Sequence, residues 1–165
     1  MTDINEEVLS RWAKIFEPDH RTPVNIWVLD AGPSDWQRFL DWVSSSYPTI
    51  YSLDGAQSPL PLFAVIKARR ETASQILRVD LGGFEANSHF FSDGEIEIDV
   101  LPEDVNSTSR TQIVFDLMKG LALLLGKEAI LAPECGSADN AQLRAIALCK
   151  AASETGALSL LRTLE

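Results

Sequence analysis

Apolar residues recur at helical spacing in four stretches of the chain and at strand spacing or as short runs in several others. Ile4, Val8, Trp12 and Ile15 share one face of a helix expected over about 4–16, with Asp3 as cap and Glu6 three residues on. Trp36, Phe39, Leu40 and Val43 mark a second helix, opened by Pro33-Ser34, with Ser34 as cap, and closed by Ser44-Ser45-Ser46 and Pro48. Ile113, Leu117, Leu121 and Leu124, widened by Val114, Met118 and Leu125, predict a third from Thr108 to Leu125 that ends at Gly126 with Lys127 behind it. A fourth is expected from Asp139, carrying Leu143, Ile146 and Ala147, with Gly156 breaking it before a short amphipathic turn over Leu158 to Leu164.

Strands are predicted at Val24–Leu29, Thr49–Leu53, Leu62–Ala68, Gln75–Leu81, Phe84–Phe91, Glu95–Val100 and Ala129–Ala132. Ser92-Asp93-Gly94 lies between two of them and reads as a hairpin. The order is αβαβ–βββ–αβα. It predicts a single α+β domain over 1–165: a mixed, largely antiparallel sheet with helices mainly on one face, a two-layer sandwich whose other face is at least partly open.

Charge sharpens this picture. The net charge is −10, and it falls on residues 1–105, which hold 18 acids against 8 Lys/Arg, while 106–165 hold 6 of each. Residues 80–104 contain eight acids and no Lys or Arg. Such a field disfavours nucleic acid and anionic membranes and favours a basic protein partner, although acidity also serves solubility alone. The apolar run Leu117–Leu125 is too short to span a bilayer, and the acidic start Met1–Glu7 lacks the features of a secretion signal, so the expected location is the cytosol. Cys135 and Cys149 make no disulfide framework, and Cys149, within an apolar helical pattern, is expected as a small buried thiol.

The segment Glu95-Ile96-Glu97-Ile98-Asp99-Val100 concentrates the acidity. Alternation sends Ile96, Ile98 and Val100 to the core and lines Glu95, Glu97 and Asp99 along the other face. These three are the expected partner contacts, with Asp93, Glu103 and Asp104 as a steering rim. A solvated face with no partner explains the same alternation. Catalysis would need neighbours that separate the carboxylate pKa values or fix a metal. No Lys completes a nuclease-like set, and His20 and His89 have no metal-ligand spacing. No Gly-x-Ser-x-Gly elbow occurs, and Gly82-Gly83 lies outside any phosphate-loop pattern. The expectation is therefore no catalytic residue, no metal and no cofactor. Phe90 and Phe91, consecutive in a predicted strand, should point to opposite sides, leaving one exposed or covered by a helix or another chain.

The stretch His89–Asp99, the apolar helix to Leu125-Gly126-Lys127, and Ala129–Glu134 together resemble bacterial immunity proteins of polymorphic toxin systems. The resemblance covers about 84–135, with weaker agreement over Trp36–Tyr51, and implies a small cytosolic inhibitor that occludes a toxin without a cofactor. Two other readings stay open. One is an enzyme or small-ligand binder with a pocket between the sheet and the Pro133–Asp139 loop. The other is a structural subunit, a homodimer or larger homo-oligomer, that buries one of the Phe90/Phe91 faces.

Overall fold

The structure, a computed structural model, describes residues 23–133, 147–150 and 157–160. Nine strands form one sheet: β1 (Val24–Val28), β2 (Thr49–Leu53), β3 (Ala56–Ser58), β4 (Gln75–Asp80), β5 (Glu85–Ser88), β6 (Ile96–Val100), β7 (Ala129–Pro133), β8 (Ala147–Lys150) and β9 (Ala157–Leu160). Their spatial order is β3-β2-β4-β5-β6-β1-β7-β8-β9. Every one of these pairings is antiparallel, so the class is α+β as expected and the sheet, among the described residues, is wholly antiparallel and not mixed. The βα units suggested parallel neighbours, yet α1 (Pro33–Ser46) carries the chain from the interior β1 to the remote β2.

Helices α1, α2 (Phe63–Arg69) and α3 (Thr108–Leu125) contribute to one continuous core with a single face of the sheet. That face presents Ile26, Leu77, Ile98 and Leu131, all buried, because alternate residues of a strand share a side. Trp36 on α1 lies parallel to Phe63 on α2, ring centroids 5.0 Å apart, and joins the two helices. Trp42, off the stripe of α1, lies over Gly120 of α3. A Cβ at Gly120 would stand 2.6 Å from the Trp42 ring, so only glycine allows this close approach.

Several expected elements change. The stretch expected as the strand Leu62–Ala68 is helical from Phe63 on: α2 buries Phe63 and Ile66 three residues apart and leaves Val65 in solvent, with Leu62 exposed just before it. A short continuous apolar run has no period to separate helix from strand. The two-residue hairpin sits at Asp54-Gly55, where both residues have positive φ (50° and 81°) and Leu53 pairs with Ala56; this adds β3, which was not foreseen. By contrast β5 and β6 pair across the longer loop 89–95, and Gly94 is not left-handed. The strand expected over Phe84–Phe91 is confined to Glu85–Ser88. Gly32, not Ser34, caps α1, its N–H donating to the Asp35 carboxylate at 2.9 Å. Ala147–Lys150 and Ala157–Leu160 are strands and not helix or turn, so Cys149 lies in β8. Antiparallel pairing of β8 with β7 overrides the local helical pattern there. The expected helix over 4–16, the Pro133–Asp139 loop beyond Pro133, His20 and Cys135 lie outside the described residues.

Candidate partner-binding face and aromatic loop

The second face of the sheet closes gradually from one side to the other. Ile50 on β2 and Arg78 on β4 are exposed, Asn87, Glu97 and Asp99 on β5 and β6 are half-buried, and Asn25 and Trp27 on β1 are buried with Ile130 and Ala132 of β7. The acidic row thus stands at the boundary between open and covered sheet.

Alternation along β6 is as expected: Ile96, Ile98 and Val100 are buried, while Glu97 and Asp99 turn to the second face. Both carboxylates are engaged inside the molecule. Glu97 accepts a 2.6 Å hydrogen bond from the side-chain amide of Asn25. Asp99 accepts from Asn87 Nδ2 at 3.2 Å and meets His89 Nε2 at 3.0 Å. Glu95 immediately precedes β6, whereas Glu103 and Asp104 occupy the 3-10 turn after it, so these three flank opposite ends of the strand.

Asp93 plays an internal part as well. Its carboxylate bridges Lys67 of α2 at 2.7 Å and Arg70, the cap residue just after that helix, at 3.0 Å. The hydrogen bond from Lys67, then its own backbone N–H and Arg70, hold its pKa down to about 2. Asp80 likewise accepts from the N–H groups of Gly82 and Gly83 and is lowered by them. Of the eight acids in 80–104, Glu85, Glu95, Glu103 and Asp104 remain without a side-chain partner among the described residues.

The loop between β5 and β6 contains a feature that alternation did not foresee. Phe90 has φ 59°, a left-handed conformation unusual for a bulky residue. Its ring is buried against Trp36, with centroids 5.4 Å apart, and its carbonyl accepts from Arg70 Nε at 3.0 Å. Phe91 is 71% exposed and lies parallel to the His89 ring at 5.2 Å. The two phenylalanines do diverge, but through a reversal of the backbone and not the pleat of a strand.

The Asp99 hydrogen bond, opposed by burial and aided by the charges of Asp99 and Glu97, raises the His89 pKa. Stability from a raised histidine is complete below the free imidazole value, about 6.5, and fades as pH rises through the folded value. The stability advantage of wild type over His89→Gln should therefore be greatest at pH 6 and shrink towards pH 8. Paired urea titrations measure it, and an advantage that grows with pH would contradict the assignment.

A cleft lies beside these residues, and another is lined by none of them. One, of about 210 Å³, is lined by Arg70, Glu71, Ser74, Gln75, His89 and Phe91, among others. The other, about 320 Å³, lies between Leu29, Asp30, Lys127, Glu128 and Ile130. Neither is much larger than the lower limit for a small-molecule site, about 300 Å³. No group of three or more His, Cys, Asp or Glu suited to a metal ion occurs among the described residues. No helix among them is long and apolar enough to cross a membrane. Comparison with protein-family models, curated proteins and solved structures finds no match.

Proposed function

We propose that this chain is a non-enzymatic, cytosolic protein-binding module of the immunity type, which docks a basic protein, such as a toxin domain, on the face carried by β5 and β6. One observation supports the reading above others: residues 80–104 hold eight acids and no Lys or Arg, and four of the acids have no side-chain partner among the described residues. Uncompensated charge on one side of a protein accelerates encounter with a partner of opposite sign and sets its orientation. Glu85, Glu95, Glu103 and Asp104 are the contacts in this scheme. Glu97 and Asp99 are tied to Asn25, Asn87 and His89 and mainly shape the surface between them.

The test uses immobilised wild-type protein and the triple variant Glu85→Lys/Glu95→Lys/Glu103→Lys, which leaves the internal hydrogen bonds alone. Lysate of the native host is passed over both, and retained proteins are identified by mass spectrometry. The expected result is a basic protein retained by wild type, released by raised salt and lost on the variant. Equal retention on the two surfaces, with the variant shown to be folded by circular dichroism, would dispose of the reading.

A further inference from the structure

Resting on that reading, we infer that Phe91, stacked on His89, is the aromatic anchor of the interface and takes an arginine side chain of the basic partner on its uncovered face. Three features converge on it. First, the ring is fixed before any partner arrives. His89 covers one of its faces, Asp99 holds His89, and Asn87 holds Asp99. Exposed aromatics with few rotamers to lose make efficient contact residues.

Second, the chain gives up stability to present it. The left-handed Phe90 is a strained conformation for a bulky residue, and its position is enforced by the Trp36 contact and the Arg70 hydrogen bond. An extended Phe90 would continue the strand and would not place its neighbour over the imidazole. Strain of this kind, ending in an aromatic that is 71% exposed, serves a contact outside the molecule.

Third, the local charge selects the occupant. In the cleft beside Phe91, Arg70 shares Asp93 with Lys67 and His89 is paired with Asp99, whereas Glu71 has no partner among the described residues. Glu71 is thus the charged group of the lining that is open to a new partner, and it is a carboxylate. Guanidinium suits such a place better than ammonium, because its plane lies flat on an aromatic ring while its edge donates two parallel hydrogen bonds to a carboxylate. A partner arginine would therefore extend the His89–Phe91 stack by one layer, with Glu71 in reach of its N–H groups.

The experiment uses the full chain and a capped tetra-arginine peptide as probe, with the tetra-citrulline peptide as its uncharged counterpart. Proton NMR reads the shift of the arginine δ-methylenes, and calorimetry reads affinity. Wild type should move those protons upfield and bind tetra-arginine in preference to tetra-citrulline. Phe91→Leu, which keeps the apolar bulk but has no ring, should abolish the upfield shift and weaken binding about two- to fivefold. Glu95→Lys tests the underlying acidic-face reading separately. If Glu95→Lys weakens binding and Phe91→Leu leaves shift and affinity unchanged, the anchor is wrong and the acidic face stands. If neither variant matters, or the peptide does not bind, both fail.

Discussion

Asn25→Asp should destabilise the protein by about 3–5 kcal/mol at pH 7, the loss expected when a buried charge has no partner. Asn25 is 1% exposed and lies on the interior strand β1, directly across from Asp99. Its side-chain amide donates to Glu97 at 2.6 Å. The substitution removes that donor and sets a third carboxyl group, itself closed to water, against two existing half-buried carboxylates. Total stabilities run to about 5–15 kcal/mol, so a large part of the margin would go. The sign of its pH dependence follows from the same neighbours. Burial and the charges of Glu97 and Asp99 raise the folded pKa of the introduced group above its unfolded value, near 3.9. The deficit should thus be small below that value, grow by about 1.4 kcal/mol per unit as pH rises towards the folded pKa, and then level off. Urea titrations of both proteins between pH 4 and 8 measure it. A deficit independent of pH would mean that the lost hydrogen bond, and not charge, carries the effect.

Trp36→Ala should cost a similar amount, about 3–5 kcal/mol, for a different reason. The Trp36 ring is 1% exposed. It stacks on Phe63 at 5.0 Å, meets Phe39 edge-on at 5.8 Å, and supports Phe90 at 5.4 Å. Truncation leaves a cavity at the junction of α1, α2 and the aromatic loop, where three rings lose contacts that a rigid backbone cannot restore. A local consequence should accompany the global one. Amides of residues 89–95 should exchange faster than the overall loss of stability accounts for, because Phe90 no longer has a ring to rest on. Hydrogen exchange resolved by residue separates the two. A loss below about 1 kcal/mol would show that the site collapses without a cavity.

Where one face of an element is buried and its ends are marked, the sequence suffices. Helix α3 spans the expected Thr108–Leu125 and ends at Gly126, left-handed at φ 63°, as the glycine indicates; its start is held by Ser107, which accepts from Arg110 N at 3.2 Å and was not singled out in the sequence. The alternation in β6 likewise predicted which side chains enter the core. Continuous apolar runs were ambiguous, as at Leu62–Ala68, because an unbroken run carries no period that separates helix from strand. Two Asp-Gly pairs compete for the hairpin, and only Asp54-Gly55 is flanked by residues already in register. The site was legible in part. Composition and alternation located the acidic segment but could not indicate that Asn25, far away in the chain, occupies Glu97, or that Lys67 and Arg70 close on Asp93. Those are contacts between distant segments. The reversal at Phe90 has no sequence signal at all, since phenylalanine is among the residues least suited to a left-handed conformation.

The place of β1 in the sheet also governs how the chain acquires its structure. Val24 pairs with Val100 on one side and with Pro133 on the other. During synthesis the segment Val24-Asn25-Ile26-Trp27-Val28 therefore emerges long before either neighbour exists. Its closure must await most of the polypeptide, and loops of that span make assembly slow compared with helical proteins of equal size. Until then a sticky, unpaired ribbon stands open to misassociation, and that interval is when the nascent protein has most need of chaperones.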